Sequence, residues 1–235
     1  MAFQPIVTAE GRVWGYEALV RGTNGEGAAS ILDRVTEEQR YRFDQTSRAK
    51  AIELAARLFP RGQGVRLSIN FMPNAVYDPA ACLRTTLLAA KRHDFPLDAI
   101  MFEFTENEEV ADAEHLKRII AEYQRRDFLT AIDDFGAGHA GLGLLADFQP
   151  DLIKIDMKLV RDVHRSVPRQ AIVTAIAFVA ETLGITVLAE GIETRAEFEM
   201  LRAAGATLFQ GYHFAKPAFE ALPPVAGANR MILAA

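Results

Sequence analysis

Short apolar runs in this 235-residue chain repeatedly end on a polar or charged residue. Trp14-Gly15-Tyr16 meets Glu17, Leu67-Ser68-Ile69 meets Asn70, and Met101-Phe102 meets Glu103. Leu129-Thr130-Ala131-Ile132 meets the pair Asp133-Asp134, and Leu152-Ile153 meets Lys154. Val187-Leu188-Ala189 meets Glu190, and Leu208-Phe209 meets Gln210. Such runs predict buried strands. An ionic group at the end of a buried strand is costly unless something compensates it.

Between these strands the pattern turns helical. Phe3 to Val7 and Val13 to Leu19 read as strands joined by Thr8-Ala9-Glu10-Gly11-Arg12. That connection is too short for a crossover helix, so the first pair must be antiparallel. A helical region follows from about Ala28 to Phe59, breaking near Val35-Thr36, where Thr36 and Gln39 form a capping-box pattern. Further strands fall near Val65, Ile100, Phe128, Leu152, Ile185 and Thr207. They alternate with predicted helices over Pro79–Arg92, Ala113–Arg126, Ala140–Phe148, Val167–Leu183 and Arg195–Ala204, the last opened by a second capping box, Thr194 with Glu197. The apolar stripe of Ala171 to Ala180 is expected to face the core.

Eight strands with βα alternation after an opening hairpin predict a mainly parallel sheet with helices outside. The fold class is therefore α/β, a modified TIM-type (β/α)8 barrel with an antiparallel first strand, formed as a single domain over residues 1–235. Closure brings the polar strand ends to one rim, and in such barrels the C-terminal rim carries the chemistry.

A net charge of −5 and a pI of about 5.6 argue against binding a nucleic-acid polymer, which requires a basic face. They do not exclude a small anion, because bound divalent cations reverse the local sign. Cys82 is the only cysteine, so no intrachain disulfide forms, and a cytoplasmic compartment fits. It falls in a predicted helix, where it reads as a small buried hydrophobe. No stretch approaches the ~18 apolar residues of a membrane segment, and Met1 to Pro5 lacks the features of a secretory signal.

The rim chemistry is all oxygen. Glu17, Asn70, Glu103, Asp133, Asp134 and Glu190 include no histidine or cysteine, and hard oxygen donors select Mg²⁺ or Mn²⁺ over zinc. Their five carboxylates exceed what one Mg²⁺ needs, and the Asp133-Asp134 pair could bridge two ions. Two ions ~3.5–4 Å apart form the usual clamp for in-line displacement at phosphorus. Lys154 would meet phosphoryl charge or hold the nucleophilic water, and Gln210 could orient that water. Gly136 to Gly141 also satisfies G-x-G-x-x-G, but Asp133-Asp134 directly before it would repel an unmetallated pyrophosphate.

These segments, taken in order, resemble a known family. Tyr16-Glu17-Ala18-Leu19-Val20-Arg21-Gly22 resembles the signature of EAL domains, the cyclic di-GMP phosphodiesterases. Ser68-Ile69-Asn70-Phe71 is similar to the family's asparagine segment, and Phe102-Glu103-Phe104-Thr105-Glu106 to its E-x-T-E segment. Ile132 to Gly138 is similar to its D-D-F-G loop and Ile153-Lys154-Ile155-Asp156 to its K-x-D. Ala189 to Thr194 and Phe209-Gln210-Gly211-Tyr212 complete the set, which runs from about Gln4 to Pro217.

The resemblance implies hydrolysis of cyclic di-GMP to linear pGpG with two Mg²⁺ or Mn²⁺ ions. It implies that Glu17, Asn70, Glu103, Asp133, Asp134 and Glu190 are metal ligands, with Lys154 and Gln210 handling water and phosphate. Gln4, Leu19, Arg21 and Asp156 match substrate contacts. Glu106 matches the glutamate that anchors the D-D-F-G loop and couples it to a homodimer interface, and Glu193 matches a support position after Glu190. The loop departs from the family pattern, with Ala137, His139, Ala140 and Gly141 in place of T, Y, S and S. The alternative is a non-catalytic cyclic di-GMP receptor, a role that usually follows loss of metal ligands.

Overall fold

The computed structural model describes residues 1–73, 76, 78–105, 113–137 and 141–225. Its strands are β1 (Ala2–Thr8), β2 (Val13–Leu19), β3 (Arg66–Asn70), β4 (Ile100–Thr105), β5 (Leu129–Phe135), β6 (Leu152–Ile155), β7 (Thr186–Ala189) and β8 (Leu208–Phe209). From β2 through β8 each strand pairs in parallel with the next. β1 lies between β8 and β2, antiparallel to both, and closes the barrel. The short hairpin dictates that reversal, as the five-residue connection required. A further two-residue strand, β9 (Ala218–Phe219), pairs with β1 at Ala2 and Phe3. Two residues carry no readable period, so the pattern did not announce it.

The helices form the outer layer. The expected break in the first helical region separates α1 (Ala28–Leu32) from α2 (Glu37–Leu58). There the Gln39 side chain accepts from the Thr36 N–H at 3.4 Å. α3 (Pro79–His93), α4 (Ala113–Gln124), α5 (Gly141–Asp147), α7 (Val167–Leu183) and α8 (Arg195–Ala203) fall within a few residues of expectation. The capping box of α8 is complete, with the Thr194 N–H donating to Glu197 at 2.9 Å and the Glu197 N–H donating to Thr194 Oγ1 at 3.2 Å. One four-residue helix, α6 (Met157–Val160), was not foreseen, and Asp156 caps it by accepting from the Lys158 N–H at 2.7 Å. α7 corrects one expectation. It buries Val173, Ile176, Ala177 and Ala180 but leaves Ile172 and Phe178 exposed, so only part of the apolar stripe faces the core.

Strand alternation divides the buried residues into two sets. Outward-facing Phe102, Phe104, Ile132, Ile153, Val187 and Phe209 join the helices in the main core, which includes the fully buried Cys82. Inward-facing Ile6, Met101, Ala131, Leu152, Leu188 and Leu208 make a separate cluster inside the barrel, flanked by Trp14 and Leu129. Burying a large side chain of this kind contributes roughly 1.5–3 kcal/mol. Among the described residues no helix is long and apolar enough to cross a membrane.

Candidate functional site

The inner apolar cluster fixes what lies above it. Moving two residues toward the C-terminal rim keeps a side chain on the same face of its strand. Met101 thus leads to Glu103, Ala131 to Asp133, Leu152 to Lys154, Leu188 to Glu190 and Leu208 to Gln210. β1 runs the other way, so Gln4, two residues before Ile6, occupies the same level and pairs in register with Glu17. Alternation alone would send Asp134 outward. Instead the β5–β6 register slips between Ile132 and Phe135, and Asp134 adopts a left-handed φ of 55°. That bulge brings both aspartates to the site.

Lys154 is the hub. Its ammonium, 1% exposed, lies 2.7 Å from Glu103, 2.7 Å from Glu190, 3.2 Å from Asp133 and 3.6 Å from Glu17. Glu17 is held from two sides, by Asn70 Nδ2 at 2.9 Å and Gln210 Nε2 at 3.0 Å. The Ser68 hydroxyl donates to Glu103. One ammonium cannot neutralise these carboxylates, and burial and mutual repulsion raise the pKa of several of them. Burial pushes the Glu103 carboxyl up to about 8, with Lys154 opposing it and Glu17 and Asp133 adding to it. Burial raises Glu190 too. Burial, then Asp133 and Asp156, pushes Asp134 up to about 6. Burial works against the Lys154 charge, but the carboxylates around it prevail and hold its pKa well above the usual lysine range.

A site with surplus negative charge and only oxygen donors suits a hard cation. Asp133, Asp134 and Glu190 each present a carboxylate oxygen, and these atoms lie within 4.8 Å of one another. They line an open cavity of about 410 Å³, together with Gln4, Glu17, Lys154, Glu193 and Gln210. A second acidic group differs in kind. Asp162, His164 and Glu197 are equally close together, but the Glu197 carboxylate already accepts from the N–H groups of Asp162, Glu193 and Thr194. It is a backbone clamp holding the segment after Glu190.

The remaining sequence candidates are distributed as follows. Leu19 and Arg21 sit half-buried at and just past the end of β2, where Arg21 Nη1 donates to the Val20 carbonyl at 2.7 Å. Asp156 is the cap of α6 and acts on Asp134. Glu193 lines the cavity and pairs with Arg161 at 2.7 Å. Glu106 lies outside the described residues. Ser68, Met157, Gly211 and Tyr212 belong to the site or its wall but were not singled out as site residues. Ser68 was readable, since it lies two residues before Asn70 on the same strand face. Gly211 was readable only in retrospect: a Cβ there would stand 2.1 Å from the Ile192 carbonyl oxygen, so the two rim segments approach through it.

A family model for the EAL domain matches residues 1–217. The chain is 35% identical over 226 residues to the blue light- and temperature-regulated antirepressor BluF of Escherichia coli, covering 96% of this chain and 56% of BluF. It is 33% identical over 227 residues to the cyclic di-GMP phosphodiesterase PA2567 of Pseudomonas aeruginosa, covering 92% of this chain and 38% of that protein. The chain therefore spans about half or less of these relatives' length. Among solved structures, a standalone EAL protein from Vibrio cholerae in its cyclic di-GMP-bound form superposes with a TM-score of 0.91 at 55% identity, covering 97% of this chain and 95% of that one. A manganese and cyclic di-GMP complex of BlrP1 from Klebsiella pneumoniae gives 0.89 at 38% identity, covering 95% and 57%.

Proposed function

The chain belongs to the EAL domain family, and on that premise we propose that it hydrolyses cyclic di-GMP to linear 5′-pGpG with Mg²⁺ or Mn²⁺. The observation that carries this reading is the all-oxygen cluster of Asp133, Asp134 and Glu190 beside the Lys154–Glu17–Gln210 network in one cavity. Glu17, Asn70, Glu103, Asp133, Asp134 and Glu190 would hold two ions. Such ions, when bound, lower the pKa of water and stabilise the attacking and leaving oxygens. The manganese in the BlrP1 complex supports that choice of cation.

The protein's own residues do the rest. In the reaction a water oxygen bonds to phosphorus, the P–O3′ bond breaks, and the water's proton is balanced by the one the 3′-oxygen gains. Lys154 keeps its charge through the physiological range and so can hold a phosphoryl oxygen or the attacking water. Gln210 and Asn70 grip opposite oxygens of Glu17 and fix its plane. Arg21, a planar fork just past the end of β2, suits a phosphate of the dinucleotide, and Gln4, Leu19 and Asp156 would make its other contacts. Glu106 would anchor the loop after Asp134, and Glu193 would brace the segment after Glu190. A homodimer is part of the reading, on the family resemblance of the loop after Asp134.

A second reading, in which this chain binds cyclic di-GMP without cutting it, fits the cyclic di-GMP-bound form in which the similar Vibrio cholerae EAL protein was solved. Chromatography of cyclic di-GMP incubated with protein and Mg²⁺ separates the two. Conversion to pGpG supports hydrolysis, whereas tight binding with intact dinucleotide over hours supports the receptor.

A further inference from the structure

Away from the acidic site, one cation is sealed inside the helix layer. Arg48 of α2 is fully buried. Its Nη2 lies 2.7 Å from Asp44 Oδ2, and its Nη1 donates to the Tyr123 hydroxyl at 2.8 Å. The guanidinium stands 5.0 Å from the centre of the Phe102 ring and 5.3 Å from that of Phe71. A buried ion pair is an unfavourable way to join helices, because apolar side chains of similar volume often serve as well or better. This pair is not even fully satisfied: among the described residues Arg48 Nε has no hydrogen-bond partner.

What the pair does grip is the backbone behind the rim. Asp44 Oδ1 accepts from the Met72 N–H at 3.2 Å, two residues past Asn70. Phe71 follows Asn70 and Phe102 precedes Glu103, so both rings under the guanidinium are immediate neighbours of rim residues. β3 and β4 pair Asn70 with Glu103 in register, and the Phe71 N–H donates to the Glu103 carbonyl at 2.9 Å. An apolar pair would fill the same space but offer Met72 no acceptor.

We infer that the Asp44–Arg48 pair is a positioning element for the Asn70–Glu103 edge of the acidic site. The inference rests on the metal-binding reading above. Groups that orient ligands from behind commonly matter by ~10-fold or more in metal affinity.

The test separates positioning from stability. Asp44→Leu and Asp44→Asn both leave Arg48 unpaired and lose stability together, but only asparagine keeps an acceptor for Met72. Asp44→Leu should bind Mn²⁺ ~10-fold more weakly than Asp44→Asn, with kcat reduced and KM for cyclic di-GMP little changed. The Asn70 side-chain amide resonance should shift in the leucine variant alone. The double variant Asp44→Leu/Arg48→Met should regain wild-type melting temperature while its Mn²⁺ affinity stays low. Equal Mn²⁺ affinities and unshifted Asn70 resonances in the two Asp44 variants would overturn the inference. A wild-type protein that binds no Mn²⁺ would overturn the metal reading instead, and the Asn70 resonance would still decide the positioning claim.

Discussion

Along β4, Met101 and Glu103 point into the same barrel two residues apart, into opposite surroundings. Met101 packs with Ile6, Ala131, Leu152, Leu188 and Leu208. Glu103, fully buried, lies beside Lys154, with Glu17 and Asp133 close enough to raise its pKa. The contrast repeats at Ala131 and Asp133, at Leu152 and Lys154, and at Leu188 and Glu190. The lower layer completes itself: each apolar side chain finds apolar partners and needs nothing from outside. The upper layer has surplus negative charge that one ammonium leaves uncompensated, at a cost in stability. A fold that needed only to close would have continued the lower layer upward. The acidic layer makes sense if the charge has another use, and a pair of divalent cations would supply one.

That contrast can be broken from above. Glu17→Ala removes the carboxylate that Asn70 and Gln210 hold, and turnover should fall to background while the fold survives. Normal turnover would remove Glu17 from the ligand set. Lys154→Ala should lower kcat by about 100-fold or more, with KM changed far less. A loss confined to KM would contradict its role with water or phosphoryl oxygen.

From below, the opposite signature is expected. Leu152→Ala lies two residues under Lys154 and should cost about 2–5 kcal/mol of stability, with kcat near wild type in the folded protein. Urea unfolding and steady-state rates together check this. A large kcat loss without destabilisation would mean the two layers are not separable.

The smallest effect sharpens the comparison through pH. Burial pushes Glu103 up to about 8 in the folded protein, against roughly 4.3 for an unfolded glutamate. Burial likewise pushes Asp134 up to about 6. Across that window the folded state holds more protons than the unfolded one, so these groups lower stability as pH rises. The melting temperature of the metal-free protein should therefore fall, relative to Glu103→Gln, between about pH 5 and pH 8. Saturating Mn²⁺ should remove the slope. A wild-type advantage that grows with pH would contradict the account.

Much of this was legible in the chain because strands keep a strict period. Once Met101, Ala131, Leu152, Leu188 and Leu208 are inside, the residues two further on must follow, and the hairpin's reversal carries Gln4 to the same rim. Period failed where the backbone departs from it. The bulge and positive φ that turn Asp134 inward follow from no alternation rule. The four residues of α6 and two of β9 are too few to show a pattern. The Asp44–Arg48 pair escaped for another reason. Charged residues on a long helix read as solvent-facing, and only packing reveals that these two face Phe71 and Phe102.

The central claim is that the acidic layer becomes a hydrolytic site when cations balance it. The most direct test uses metal-depleted protein mixed with cyclic di-GMP, with Mn²⁺ added to the same sample while products are followed by chromatography. The account predicts intact dinucleotide before the addition and pGpG after it. Conversion without metal, or bound and intact cyclic di-GMP after metal is supplied, would contradict it.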